Sequence, residues 1–285
     1  MAMVATNTEA LETALNRRPQ TLEYTRNQGH TSAWDDLAPD LNAVDPQAAA
    51  WEALRSAMVL PPNLRQQRLM AARRDPGASR AFDMLRMRML QTLRAHGWHR
   101  VAIAAPTAGS GTSFITASLG LSLSRVEGCR TVALDLDLRA PSLGASLGMR
   151  PAGSMADWLS GEVPMAEYLQ RSGCNLALGL NLRSEPDRST CLLRPEAGRT
   201  LAAMQKTLAP DVVLCDLPPL LGNGDALAFL SHVDCILLVA DAQSSTAAQI
   251  SECKALFEGE VPFLGVVLNQ AETGERADHD EQAAG

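Results

Sequence analysis

The chain has 285 residues, of which 46% are hydrophobic and 20% are charged, a composition typical of a globular protein that excludes a wholly disordered one. Its formal net charge of −7 argues against nucleic-acid binding through a generally basic surface, so we expect no nucleic-acid partner. The sequence has no run of about 18 uninterrupted apolar residues, so we expect no membrane-spanning segment.

The first part of the chain is rich in proline and poor in hydrophobic periodicity. Residues 1–76 contain six prolines and a basic stretch, RQQRLMAARR, at residues 65–74. This pattern predicts a poorly ordered or partly helical N-terminal extension, with the main domain at residues 77–272 and an acidic tail at residues 273–285. At the start of that domain, residues 78–94 have apolar side chains at the spacing of an amphipathic helix.

From residue 98 onward, short apolar runs alternate with helical patterns. The predicted strands are residues 101–105, 131–135, 176–180, 212–216, 235–240 and 263–268. The predicted helices are residues 112–125, 154–159, 199–208, 225–230 and 247–257. Continuous apolar strands that alternate with helices predict an α/β fold with a mainly parallel sheet covered on both faces.

A loop rich in glycine and hydroxyl residues, AGSGTS, joins the first of these strands to its helix. Glycines allow successive backbone N–H groups to point at one anion, and the following helix adds its positive end. Gly109, Ser110, Gly111, Thr112 and Ser113 would form this phosphate nest, with the Ser113 hydroxyl facing Mg²⁺. The alternative is a tight turn that binds nothing. Thr112 stands where the phosphate-loop pattern GxxxxGK[ST] has its lysine.

Three carboxylates follow two other predicted strands. The first strand ends on Asp135 and Asp137 in LDLDLRAPSLG, and the second ends on Asp216 in DVVLCDLPP. The carboxyl ends of neighbouring parallel strands border the crevice in which such sheets bind ligands. There the three side chains would hold or hydrate a hard cation and orient a nucleophile. Each of them could instead cap a helix.

Residues 80–269 resemble the bacterial tyrosine kinases (BY-kinases) of exopolysaccharide and capsule synthesis, which are deviant-Walker P-loop proteins related to MinD and ParA. The matching pieces are AFDMLRMRM, AGSGTS, LDLDLRAPSLG, SMADWLSGE, DVVLCDLPPLLGNGDALAF, DCILLVADAQSST and GVVLNQ, in the order of the family. The resemblance implies a P-loop NTPase fold of the MinD/ParA-like type, a three-layer sandwich around a mainly parallel sheet.

The resemblance also implies ligands and roles. ATP and Mg²⁺ would be the cofactors. Residues 109–113 would cradle the phosphates, Asp135, Asp137 and Asp216 would serve Mg²⁺ and the transferred group, and Asn269 would face the adenine. Such proteins phosphorylate tyrosines in a partner or in their own C-terminal tail. They work with a membrane polysaccharide co-polymerase of the Wzz-domain type, which we expect here on a separate chain.

The sequence departs from the family at several positions. Thr112 replaces the loop lysine, and Thr107 stands where MinD and ParA relatives have an additional lysine. The tyrosines of this chain are Tyr24 and Tyr168, so it has no C-terminal tyrosine cluster. The ring-forming helix motif E-x-x-R-x-x-R appears as Arg80, Asp83 and Arg86, so a homo-oligomer is possible but an octameric ring is in doubt.

Three functions stay open on the sequence. The leading one is a cytoplasmic BY-kinase-like nucleotide-binding protein, peripheral at the inner membrane through its partner, in which Asp137 or Asp216 assists the tyrosine hydroxyl. Arg139, or an arginine from a partner subunit, would then substitute for the missing lysine. The second is a catalytically inactive pseudo-kinase scaffold in the same pathway. The third, a MinD/ParA-type positioning ATPase, is disfavoured by the two absent lysines.

Overall fold

The computed structural model describes residues 45–61 and 63–271, and eight strands of this part of the chain form one sheet. Its strands are β1 (Arg55–Ser56), β3 (Arg100–Ala104), β4 (Thr131–Asp135), β6 (Gln170–Ser172), β7 (Leu176–Gly179), β8 (Val212–Asp216), β9 (Cys235–Asp241) and β10 (Phe263–Asn269). Their order is β1-β6-β7-β4-β8-β3-β9-β10. The six strands from β7 to β10 run parallel, and β6 is antiparallel to β7. A separate antiparallel pair joins β2 (Met58–Val59) to β5 (Met149–Arg150).

Ten α-helices lie among these strands in the described residues. They are α1 (Pro46–Glu52), α2 (Leu64–Arg74), α3 (Pro76–His96), α4 (Thr112–Leu123), α5 (Leu143–Leu147), α6 (Met155–Leu159), α7 (Met165–Tyr168), α8 (Pro195–Leu208), α9 (Gly224–Phe229) and α10 (Ala247–Phe257). Two 3₁₀ segments cover Pro186–Leu193 and Leu230–His232. The six predicted strands and the predicted helices are all present, with ends that differ by a few residues.

Both faces of the sheet are buried, and β3 shows how one strand serves two layers. Val101 and Ile103 pack with α3 and α4 on one face, whereas Ala102 and Ala104 join the opposite core beneath α6, α8 and α10. Successive side chains of a strand point to opposite faces, so an uninterrupted apolar run is what a doubly covered strand requires. The predicted α/β three-layer arrangement with a mainly parallel sheet is confirmed.

Residues 45–76, which the sequence assigned to an extension, contribute side chains to both cores. Trp51 is 3% exposed and donates its indole N–H to the Cys174 carbonyl oxygen (2.7 Å). Leu69 of α2 is 0% exposed and belongs to the core that contains α3 and α4. The predicted division at residue 76 stays a prediction. The rest of the predicted extension, residues 1–44, and the predicted tail at residues 273–285 lie outside the described residues.

The charged residues of the altered motif on α3 make contacts within the chain. Arg86 forms an ion pair with Asp83 (3.1 Å) and donates to the Ser122 carbonyl oxygen (3.0 Å), while Arg125 also approaches Asp83 (3.6 Å). Arg80 donates to the Pro76 carbonyl oxygen (3.1 Å). These intrachain contacts give the altered motif a local role, and oligomer formation stays a prediction.

Two smaller features concern membrane-spanning helices and cysteine thiols. Within the described part of the chain, no helix is both long and apolar enough to cross a bilayer. All six cysteines are free thiols, and five of them are buried.

Candidate functional site

The glycine-rich loop leaves β3 and leads directly into α4. Gly109 (φ 87°) and Gly111 (φ 92°) both adopt the left-handed conformation that glycine tolerates best. A Cβ atom at Gly111 would lie 2.1 Å from Asn269 Nδ2, so any side chain there would collide with this amide. The α4 helix that follows has no acidic residue in its first turn, so its positive end is not neutralised from within.

Two hydrogen bonds hold the loop in shape. Asn269, the last residue of β10, donates its side-chain amide to the Ser110 carbonyl oxygen (3.0 Å). Ser110 is buried and donates its hydroxyl to the Thr107 carbonyl oxygen (2.9 Å). Asn269 therefore fixes the loop from a neighbouring strand, and its predicted contact with adenine stays a prediction.

A cavity of about 590 Å³ opens in front of this loop. Most of its wall comes from the loop, the residues after β4 and the end of β10. The lining residues are Arg65, Arg68, Ala108, Gly109, Gly111, Thr112, Ser113, Phe114, Asp137, Ala140, Ser142, Ser146, Pro219, Asn269 and Gln270. Six of the predicted site residues are among them, and the turn is not filled by its own side chains. Another cavity, of about 450 Å³ between α10 and β10, contains none of the predicted site residues.

Asp135 and Asp216 lie side by side beneath this cavity. They are register partners on the parallel strands β4 and β8, and each is 1% exposed. The Leu143 N–H donates to Asp135 Oδ2 (3.1 Å), and the Thr116 hydroxyl lies 3.3 Å from Asp216 Oδ1. Asp135 Oδ1 and Asp216 Oδ2 are buried and have no hydrogen-bond partner within the described residues. Asp135 thus caps α5 with one oxygen and leaves the other unsatisfied.

Hydroxyl groups connect the carboxylates to the loop. Ser142 donates its hydroxyl to Ser113 Oγ (2.7 Å), and the nearby Ser113 hydroxyl lowers the pKa of Asp216 against the effect of burial. Ser142 and Leu143 are adjacent in the turn after β4. Ser142 contacts Ser113, and Leu143 contacts Asp135. Because of these contacts, α4, β4 and β8 hold the carboxylate pair directly behind the first turn of the loop helix.

Burial dominates the protonation of this pair. It raises the pKa of Asp216 to about 7, and the negative charge of Asp137 acts in the same direction. Burial and then the neighbouring Asp216 raise the pKa of Asp135 well above its usual range. Two buried carboxylates this close ionise together only if a cation offsets their charge.

The side chains of this site suit Mg²⁺ that is bound together with phosphate. Mg²⁺ prefers oxygen ligands and is bound by one or two carboxylates together with water and phosphate oxygens. The unsatisfied oxygens of Asp135 and Asp216 and the Ser113 hydroxyl supply such ligands. No group of three or more His, Cys, Asp and Glu side chains in the described residues is arranged to hold a metal ion alone. The donor set therefore suits a metal–nucleotide complex better than a free ion.

Asp137 and Arg139 differ in where they lie. Asp137 lines the cavity, and its Oδ1 accepts the backbone N–H groups of Arg139 (3.1 Å) and Ala140 (2.9 Å). The Arg139 guanidinium instead pairs with Asp225 (2.8 Å) and donates to Ser189 Oγ (3.2 Å), and it does not line the cavity. The predicted substitution of the loop lysine by Arg139 has no support from this arrangement and stays a prediction.

The cavity wall contains two charged residues that the sequence analysis did not select. Arg65 and Arg68 of α2 line it, although they come from the basic stretch assigned to the extension. A sequence signal for the helix was present, because Asn63 accepts the Gln66 N–H (2.9 Å) in the pattern of an N-cap. Its position beside the loop depends on tertiary packing.

Bacterial tyrosine kinases are similar to this chain in sequence. EpsB of Ralstonia solanacearum, named as a tyrosine-protein kinase, is 28% identical over 211 residues, covering 72% of this chain and 27% of that protein. A tyrosine-protein kinase named for the cps region of Klebsiella pneumoniae is 25% identical over 171 residues, covering 59% and 23%. The tyrosine-protein kinase wzc of Salmonella typhi is 26% identical over 161 residues, covering 56% and 22%. The chain spans about a quarter of the length of these curated relatives. No protein-family model matches it.

Solved structures of the same fold include kinase domains and MinD. The BceF tyrosine kinase domain has a TM-score of 0.60 at 21% identity, over 79% of this chain and 97% of that domain. The kinase domain of Escherichia coli tyrosine kinase ETK has a TM-score of 0.59 at 22% identity, over 85% and 89%. The septum site-determining protein MinD of Pyrococcus horikoshii, solved with Mg-ADP, has a TM-score of 0.51 at 19% identity, over 62% and 72%. The predicted P-loop NTPase fold and the family resemblance are confirmed.

Proposed function

We propose that this chain, which belongs to the bacterial tyrosine kinase family, binds ATP with Mg²⁺ and acts in exopolysaccharide or capsule biosynthesis or export. One observation carries the proposal. Gly109, Gly111, Thr112, Ser113 and Asp137 line one cavity, and behind it Asp135 and Asp216 keep buried oxygens that no described residue satisfies. A tight turn that binds nothing gives no reason for two such oxygens, because an unsatisfied buried carboxylate oxygen is destabilising.

The roles of the residues follow from their positions. Backbone N–H groups of residues 109–113 and the first turn of α4 would hold the phosphates. Ser113, Asp135 and Asp216 would hold Mg²⁺, directly or through water. Asp137 lines the cavity and is placed to accept the proton of an incoming hydroxyl group. Bound ATP would supply the phosphoryl group, with tyrosine as the acceptor by family membership.

The proposed partner and location rest on the family resemblance. One of the relatives is named for the cps region and another as wzc. By the family resemblance, the chain would work beside a membrane polysaccharide co-polymerase of the Wzz-domain type on a separate chain. The chain would then work in the cytoplasm, peripheral at the inner membrane through that partner.

A second candidate is a catalytically inactive scaffold in the same pathway. Thr112 favours it, because a loop lysine neutralises charge at the β- and γ-phosphates and this neutralisation is most of what a phosphoryl-transfer enzyme provides. The MinD/ParA-type positioning ATPase has less support, because Thr107 replaces the second lysine of that class as well.

Titration calorimetry with ATP and Mg²⁺ on the purified chain tests the proposal. We expect binding that Asp135→Ala and Asp216→Ala each abolish and that Asp187→Ala, at an exposed position outside the cavity, leaves unchanged. Thermal melting of each variant serves as the control for folding. No binding at millimolar ATP would contradict the proposal. Binding without hydrolysis or tyrosine phosphorylation would favour the scaffold, and hydrolysis gained by Thr112→Lys would show that a missing charge is what limits catalysis.

A further inference from the structure

The α2 helix forms one side of the nucleotide cavity although it precedes the P-loop fold in the chain. Arg65 and Arg68 line the same cavity as Thr112 and Ser113 of the loop. They are three residues apart, which puts them on the same face of α2. Arg73 and Arg74 of the same helix lie in its last turn and do not line the cavity. The chain therefore places two of the four arginines of α2 at the loop.

Several contacts hold α2 in this position. Leu69 is fully buried in the core, and the helix packs against α3, α4 and α5. Asn63, which caps the helix, donates to the Ala145 carbonyl oxygen of α5 (2.8 Å). The Gln66 side chain lies over Gly148, where a Cβ atom would come within 2.3 Å of it. Because these anchors alternate with Arg65 and Arg68 along the helix, the two arginines face the cavity from a fixed support.

The charges of these arginines are not neutralised by the described residues. Neither Arg65 nor Arg68 forms an ion pair with the described residues, whereas Arg86, Arg125 and Arg139 each do. In the cavity wall the only acidic side chain among the described residues is Asp137. The chain has just two lysines, Lys206 and Lys254, and neither lines the cavity. Arg65 and Arg68 are therefore the cationic side chains of the wall in the described part of the chain.

We infer that Arg65 and Arg68 supply the positive charge that Thr112 and Thr107 do not, by contacting the phosphates of the nucleotide across the cavity. The inference rests on the proposed nucleotide binding and specifies how it is achieved. A guanidinium group binds phosphate oxygens through paired N–H donors, so it can replace an ammonium group that approaches from another side. The basic stretch would then be part of the binding site. The competing interpretation is a solvated arginine face that contributes only a general field.

Calorimetric titration of ATP with Mg²⁺ into the double variant Arg65→Gln/Arg68→Gln separates these interpretations. Charge-assisted hydrogen bonds to phosphate are strong, so we expect the affinity to fall at least tenfold. Arg74→Gln is the matched control, since it removes one exposed charge from the same helix outside the cavity. We expect it to change the affinity less than twofold. Adding Thr112→Lys to the double variant should restore most of the lost affinity, because it returns a cation to the loop.

Each other outcome is decisive. The inference is overturned, while nucleotide binding stands, if the double variant binds ATP with Mg²⁺ as tightly as the unmodified chain. It is also overturned if the loss of affinity in the double variant is no more than twice the loss in Arg74→Gln. If the unmodified chain does not bind ATP with Mg²⁺ at millimolar concentration, the proposed function and the inference both fall. Melting curves establish that the variants are folded, and both single variants are titrated if the double variant melts early.

Discussion

Asp135 and Asp216 are directly opposite each other on β4 and β8, and both are almost completely buried. Each has one oxygen atom that finds no hydrogen-bond donor among the described residues. Such a pair is unfavourable without a cation, since each negative charge loses its hydration and repels the other. We interpret the pair as a metal site whose stability cost is offset when Mg²⁺ and phosphate bind.

The first prediction concerns pH and the stability of the ligand-free chain. The pKa of Asp216 in the folded chain is about 7, against an ordinary value of 3.8. The folded state therefore holds a proton that the unfolded state releases, and the stability present below pH 4 is lost as the pH rises to 7. Asp216→Asn removes this loss. The difference in the free energy of unfolding between Asp216→Asn and the unmodified chain should grow in favour of the variant from pH 4 to pH 7, by up to about 4 kcal/mol.

Urea unfolding at several pH values measures this difference. Glu252→Gln, at an exposed position on α10, makes the same change of charge and should show no such trend. A difference between Asp216→Asn and the unmodified chain that is constant with pH would contradict the assigned protonation.

The second prediction separates two roles of Asn269. Its amide holds the loop through the Ser110 carbonyl oxygen, whereas the family resemblance assigns it to the adenine. If the loop contact is its main role, Asn269→Ala should weaken ATP and GTP to the same extent, by about tenfold or less, the range expected for one hydrogen bond. If Asn269 instead contacts the adenine, Asn269→Ala should lose the preference for ATP over GTP. Competition titrations with the two nucleotides decide between these roles.

The third prediction tests whether α2 is part of the folded domain. Leu69 is 0% exposed and Leu64, on the same helix, is 74% exposed. Leu69→Ala should lower the free energy of unfolding by about 2–5 kcal/mol, because it leaves a cavity in a packed core. Leu64→Ala should change it by less than about 0.5 kcal/mol. Equal small effects in chemical denaturation would show that residues 64–74 are peripheral, as the sequence analysis expected.

The fourth prediction concerns the accessibility of Tyr168 to phosphorylation. Tyr168 is 1% exposed, donates its hydroxyl to the Leu180 carbonyl oxygen (2.9 Å) and stacks on Trp158 with 5.2 Å between ring centroids. Its hydroxyl cannot reach another active site while the chain is folded. After incubation with ATP, Mg²⁺ and an active bacterial tyrosine kinase, mass spectrometry should find no phosphate on Tyr168. Phosphate at this residue in a chain that still melts cooperatively would contradict the packing.

The sequence predicted the parallel strands of the sheet well because a buried parallel strand is a continuous apolar run, which can be recognised locally. The six apolar runs became the six parallel strands, and β4 and β8 end on the expected carboxylates. The short strands β1 and β6 were missed, since Arg55–Ser56 and Gln170–Ser172 are polar and are strands only through their pairing. No local pattern marks such segments.

The site was predicted in part for the same reason. The loop, Asp137 and Asn269 line one cavity as their positions at strand ends indicated. The sequence could not place Arg65 and Arg68 there, because the contacts of α2 with Ala145 and Gly148 join residues about 80 positions apart. Nor could it show that Arg139 turns to Asp225. Both depend on side-chain directions that only the folded chain determines.

The central claim is that a metal–nucleotide complex binds between the loop and the carboxylate pair. A crystal structure of the chain with a non-hydrolysable ATP analogue and Mn²⁺, with anomalous scattering to locate the ion, tests it most directly. We predict phosphates against residues 109–113 and one ion at Asp135 and Asp216, about 2.1 Å from their oxygens or about 4 Å through a water. An ion elsewhere, or an empty cavity at saturating analogue, would contradict the account.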